Sequence, residues 1–146
     1  MTEQKTVEAK ITASTIERIL AAAGVLAAGG ASVFVWYFNP STQGFFPVCP
    51  LFKLTGIACP GCGLTRGFHA LFHGDILTAL DFNAMLPVYA VFFGYLFLAM
   101  FLIAVRGRGI SFNFLRPSVI WGFLIVSLVF AVLRNLPFYP FSILYP

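Results

Sequence analysis

Residues 49–75 read CPLFKLTGIACPGCGLTRGFHALFHGD. The stretch holds all three cysteines and both histidines, with Lys53, Arg66 and Asp75 as its charges. It is too polar and too often broken by Pro and Gly to cross a membrane, yet long apolar runs flank it on both sides. That contrast decides the fold: apolar helices arranged around one polar, reactive segment. Within it, Cys59-Pro60-Gly61-Cys62 is a C-x-x-C pair. Pro60 suits the first position of a helix, where its missing N–H has no partner to lose. This predicts Cys59 near an N-cap and Cys62 in the first turn, where the helix dipole favours thiolate. A helix from about Pro60 to His73 places Cys62, Arg66, His69 and His73 on one face, since they recur at spacings of four, three and four. Leu64, Phe68, Leu71 and Phe72 fall on the other, so the helix is amphipathic.

Upstream, Ile19–Phe38 runs 20 residues without a charge, enough to cross ~30 Å of hydrocarbon. Gly24, Gly29 and Gly30 allow close helix packing. Trp36, Tyr37 and Phe38 mark an interface, and Asn39-Pro40 ends the helix. Before it, residues 1–17 form a polar tail, mobile at its start and helical from about Thr12, with no removable signal peptide. Downstream, Gly74 and Asp75 break the amphipathic helix, and Asp75 caps a short turn from Ile76. Residues 82–105 form a second span, capped by Asp81 or Asn83, with Pro87 near its start. Residues 117–133 form a third, closed by Arg134. Residues 135–146 carry three prolines and four aromatics, and either lie on the membrane interface or fold back over the cysteine segment.

Composition supports this reading. The 146 residues are 60% apolar and 10% charged, against about 25% charged in soluble domains. The net charge of +4 is dispersed along the chain, which excludes a nucleic-acid-binding run and suits contact with lipid headgroups. Lys5, Lys10, Arg18, Arg106, Arg108 and Arg116 make six cations on one side of a three-span chain; Lys53, Arg66 and Arg134 make three on the other. The more basic side is cytoplasmic. The N-terminus is therefore expected inside and residues 39–81 outside.

The motif Cys49-Pro50, then Cys59-Pro60-Gly61-Cys62-Gly63-Leu64-Thr65-Arg66, then an apolar helix ending in Gly74-Asp75, resembles a bacterial membrane family known as domain of unknown function 2752. The resemblance runs from Cys49 through the second span. It implies a small multi-helix protein of the cytoplasmic (inner) membrane with a motif built from Cys49, Cys59, Pro60, Cys62, Gly63, Thr65, Arg66, Gly74 and Asp75. It implies no activity, and it assigns nothing to the two histidines.

Three chemistries fit the cysteines. The leading expectation is structural: Cys49 pairs with Cys59 or Cys62 as a loop staple, and Arg66 clamps loop carbonyls, Asp75, Asp81 or a lipid phosphate. The second is a zinc or copper site on Cys59 and Cys62, completed by Cys49 and by His69 or His73. The third is thiol–disulfide exchange, with Cys49 attacking a Cys59–Cys62 pair. There is no carboxylate pair, nucleophile triad or phosphate loop, and no charge inside a span to line an ion path. Hydrolase, kinase and transport readings therefore have nothing to stand on.

The chain is thus expected to be all-α and integral to the membrane, with three transmembrane helices plus a short amphipathic or re-entrant helix between the first and second. It is expected to be an accessory, assembly or structural protein rather than an enzyme. Its alternative is a thiol-redox or metal-handling protein. No resident cofactor is the first expectation. The bilayer is its partner, with a membrane protein or a second copy of itself as a further one.

Overall fold

The computed structural model describes residues 13–109 and 116–145. Among these there are six α-helices and no strand: α1 Thr15–Tyr37, α2 Pro50–Thr55, α3 Leu64–Phe72, α4 Ile76–Phe82, α5 Leu86–Arg106 and α6 Pro117–Leu133, followed by a 3-10 turn Phe141–Leu144. The expected mobile start of the N-terminal tail, including Lys5 and Lys10, lies outside the described residues.

Helix α1 begins where a capping box can form. Ser14 Oγ accepts from the Glu17 N–H at 3.2 Å, and Glu17 Oε2 accepts from the Ser14 N–H at 2.7 Å. Two orphan donors are satisfied there, which is why the helix starts at Thr15. Helix α1 packs antiparallel on α5. Arg18 donates to the carbonyls of Ala104 (3.2 Å) and Val105 (3.4 Å), capping the end of α5. Farther along, Gly24 faces Met100, whose sulfur stands 2.8 Å from where a Cβ would be.

Both α1 and α5 are long and apolar enough to cross a membrane. Their outer faces are bare hydrocarbon: Leu26 is 76% and Val91 67% exposed. A water-facing protein would not leave so much apolar area uncovered. The third expected span is not of the same kind. Helix α6 has the expected limits and is apolar, but its 17 residues reach only ~26 Å, so two helices rather than three meet the length of a membrane crossing. Helix α6 joins the others through Phe123 and Phe130. Phe123 stacks on Phe92 with ring centres 4.8 Å apart, and Phe130 packs with Met85 and Tyr89.

The three short helices gather at the end of α1 opposite Arg18. Helices α3 and α4 pack around Ala70, Ala79 and Leu86, with Leu64, Phe68 and Leu71 of the expected apolar face partly buried against them; Phe72, also expected on that face, is exposed. Gly74 (φ 80°) ends α3, and the Asp75 carboxylate accepts from the Thr78 N–H at 3.1 Å, capping α4 as expected. The Thr78 hydroxyl and N–H hold that carboxyl below its usual range. Neither expected residue is the cap of α5. Met85 takes that position, and Asn83 acts one step earlier by accepting from the Met85 N–H at 2.9 Å.

Candidate functional site

Cys49 is the N-cap of α2, with Pro50 as the first helical residue. Helix α2 stops at Gly56, which takes a left-handed φ of 71°. The chain then runs through Ile57 and Ala58 into a turn closed by the Cys62 N–H donating to the Cys59 carbonyl at 3.0 Å. The start of α3 differs from the expectation. Gly63, at φ 82°, is its N-cap, and the first helical residue is Leu64. A side chain at position 63 would run into the Phe82 carbonyl oxygen, so this glycine also sets how closely α3 approaches α4. Cys59 and Cys62 therefore sit together in the turn before α3. Cys62 does not share the helical face of Arg66, His69 and His73.

The turn brings three sulfurs together. Cys59 Sγ lies 3.1 Å from Cys62 Sγ and 3.5 Å from Cys49 Sγ. All three sulfurs fall within 4.8 Å of one another. The three cysteines are free thiols, so the expected disulfide from Cys49 to one of the pair is not formed in this structure. Cys62 is buried; Cys49 and Cys59 are half-buried. Their environments pull in opposite directions. Burial pushes the Cys62 thiol up to about 12, with the Cys59 and Cys49 thiols adding to it. Cys49 is held below its ordinary value, chiefly by the backbone N–H of Phe52 in the first turn of α2.

Residues distant in sequence hold the turn. Arg134 is fully buried, and one terminal nitrogen donates to the carbonyls of Cys59 (3.0 Å) and Cys62 (3.1 Å). Its guanidinium lies 5.0 Å from the centre of the Phe130 ring. Among the described residues its other two nitrogens have no hydrogen-bond partner. Asn83, also buried, donates to the Pro60 (2.9 Å) and Cys62 (3.1 Å) carbonyls. Asn135 pairs with both backbone groups of Ala58, and Tyr145 donates to the Gly56 carbonyl at 2.8 Å. The tail thus folds back over the cysteine segment, the second of the two courses expected for it.

Arg134, Asn135 and Tyr145 were not among the residues the sequence singled out for the site. For Arg134 and Asn135 the only signal was polarity at the end of an apolar run. The other expected residues divide. Arg66 lies at the site, its guanidinium 5.0 Å from the Phe82 ring centre, but it forms no ion pair with Asp75 or Asp81. His69 is not brought to the sulfurs. Its Nδ1 lies 2.6 Å from the Val35 carbonyl oxygen at the end of α1, and its ring stands 4.4 Å from that of His73. The structure assembles Cys49, Cys59 and Cys62 without it.

Three sulfurs so placed suit a thiophilic ion. Thiolates bound to zinc at about 2.3 Å stand roughly 3.8 Å apart in a tetrahedron, close to what the turn already provides. No curated protein and no solved structure matches the chain. Residues 49–97, from the first thiol to the middle of α5, match the family described as Protein of unknown function (DUF2752), the one the cysteine motif resembles.

Proposed function

We propose that this is a small accessory protein of a bacterial cytoplasmic membrane whose three thiols hold a soft metal ion, Zn²⁺ or Cu⁺. The observation that carries the proposal is the grouping of Cys49, Cys59 and Cys62 sulfurs within 4.8 Å on a turn whose carbonyls are pinned by buried side chains. A preassembled ligand set loses little conformational freedom on binding. In this reading α6 is a third, short crossing, since 17 residues is the lower limit for one. The N-terminus is inside and the thiols face outward. The support is the count of cations in the sequence: Lys5, Lys10, Arg18, Arg106, Arg108 and Arg116 on the inner side against Lys53, Arg66 and Arg134 on the outer, as the charge rule asks of this orientation.

Metal analysis and thiol counting on one purified sample test the proposal. One ion per chain, with thiols that alkylate only after chelation, is the expected result. Three freely alkylating thiols and no metal overturn it.

Thiol exchange is the second reading, favoured by the 3.1 Å between Cys59 and Cys62 and the lowered Cys49 beside them. Forming a Cys59–Cys62 bond releases two protons and two electrons, which a partner disulfide accepts in becoming two thiols. The Cys49 thiolate then attacks Cys59 and displaces Cys62. Under this reading two thiols are missing from the count with or without chelator, and mild reductant restores them.

A further inference from the structure

A cleft of about 320 Å³ opens beside the sulfurs, with Cys49 and Cys62 on its wall and Ser41, Thr65 and Arg66 also lining it. Its volume lies at the lower end of small-ligand sites, about 300–1,000 Å³. Among the described residues no Asp or Glu lines it, and Arg66 is the one charged side chain that does. That guanidinium is half-buried and steadied over the Phe82 ring. No hydrogen bond or ion pair among the described residues engages it. The Asp75 carboxylate caps α4 instead. A planar fork of donors, fixed in place and unmatched, with hydroxyls beside it, is suited to a tetrahedral oxyanion.

The cleft also takes in Phe46 and Pro47; aromatic side chains just beyond a span suit the headgroup level, where phosphodiesters are the abundant anions. We propose that the cleft beside the thiols is a binding site for a phosphate group, held by Arg66. The group belongs either to a membrane lipid or to a soluble phosphate. The site needs no metal at the thiols and stands apart from the function proposed above.

The test uses full-length, reduced, chelator-treated protein in dodecyl maltoside, a detergent without phosphorus. It is titrated with inorganic phosphate, and separately with dihexanoyl phosphatidylglycerol against dihexanoylglycerol, which lacks the phosphate. Binding is read by ³¹P NMR line broadening, and by protection of Cys49 from alkylation. Saturable broadening with protection of Cys49 is expected, with affinity roughly tenfold weaker in Arg66→Ala, the loss of one charge-assisted contact. Arg66→Gln, close in length and still polar, serves if the alanine variant does not fold. Binding of the phospholipid alone assigns the site to headgroups; binding of inorganic phosphate assigns it to soluble phosphate. Absence of saturable broadening with both, equal protection by dihexanoylglycerol, or unchanged affinity in the folded Arg66 variants overturns the proposal. Because the sample is metal-free, these outcomes are independent of whether the thiols bind metal.

Discussion

Asn135 and Ala58 exchange two hydrogen bonds of equal length: the Ala58 N–H donates to Asn135 Oδ1 at 2.8 Å, and Asn135 Nδ2 donates back to the Ala58 carbonyl at 2.8 Å. One side-chain amide thus completes the backbone of a residue that is fully buried one position before the C-x-x-C pair. Asn135→Asp replaces the donor with a carboxylate facing a carbonyl. We expect it to cost about 2 kcal/mol or more, because both partners at Ala58 cannot be met. The check is thermal unfolding in detergent beside Asn135→Ala. An aspartate variant as stable as wild type refutes the pairing.

Gly63 and Gly61 differ in what surrounds them, although both lie in the motif. Position 63 is left-handed and backed by the Phe82 carbonyl; a Cβ at position 61 meets only Cys59 Sγ at 4.0 Å. Gly63→Ala is expected to destabilise by at least ~2 kcal/mol and to lower the yield of monodisperse protein, while Gly61→Ala stays within about 1 kcal/mol. Equal effects from the two substitutions contradict the account of how α3 begins.

The Cys62 thiol gives a pH dependence with a defined sign. The unfolded chain releases this proton near 9.0 and the folded chain near about 12. Between those values the unfolded state binds fewer protons, so stability falls as pH rises through that window. Reduced, chelator-treated protein is expected to lose denaturant resistance there, and Cys62→Ala to lose less of it. At neutral pH, alkylation followed by peptide mass mapping is expected to label Cys49 first and Cys62 last. Faster labelling of Cys62 contradicts the burial argument.

Orientation is checked by reporter fusions. A reporter active only outside the cytoplasm is expected to work after Tyr145 and to fail between Arg108 and Arg116. The opposite pattern places the thiols in a reducing compartment and removes the support for an outward-facing site.

Much of this architecture is legible in the sequence because it depends on local periodicity and punctuation. The limits of α6, the cap at Asp75 and the amphipathic α3 all follow from residues within a few positions of each other. The grouping of Cys59 with Cys62 is equally local, and Cys49 joins them through a short helix whose Pro50 start was visible. The beginning of α3 was misplaced because Pro60 and Gly63 both signal a helix start, and the close approach of Phe82 decides in favour of Gly63. Helical spacing groups Cys62 with Arg66, His69 and His73 on one face, a relation that lapses once Cys62 lies outside the helix. The clamps were hidden for another reason. Arg134 and Asn135 meet their partners across 72 to 77 positions, and a polar pair closing an apolar run looks like ordinary interfacial anchoring.

Those separations also fix an order of events during synthesis. The ribosome delivers Ala58 and the cysteines well before Asn135, 77 residues later, and at about 5–20 residues per second the interval is roughly 4 to 15 s. Throughout it, three thiols are present without the side chains that close over their turn. A chain that stalls or is cut before α6 therefore displays unguarded sulfur chemistry, and the nascent protein relies on its surroundings until its last helix arrives.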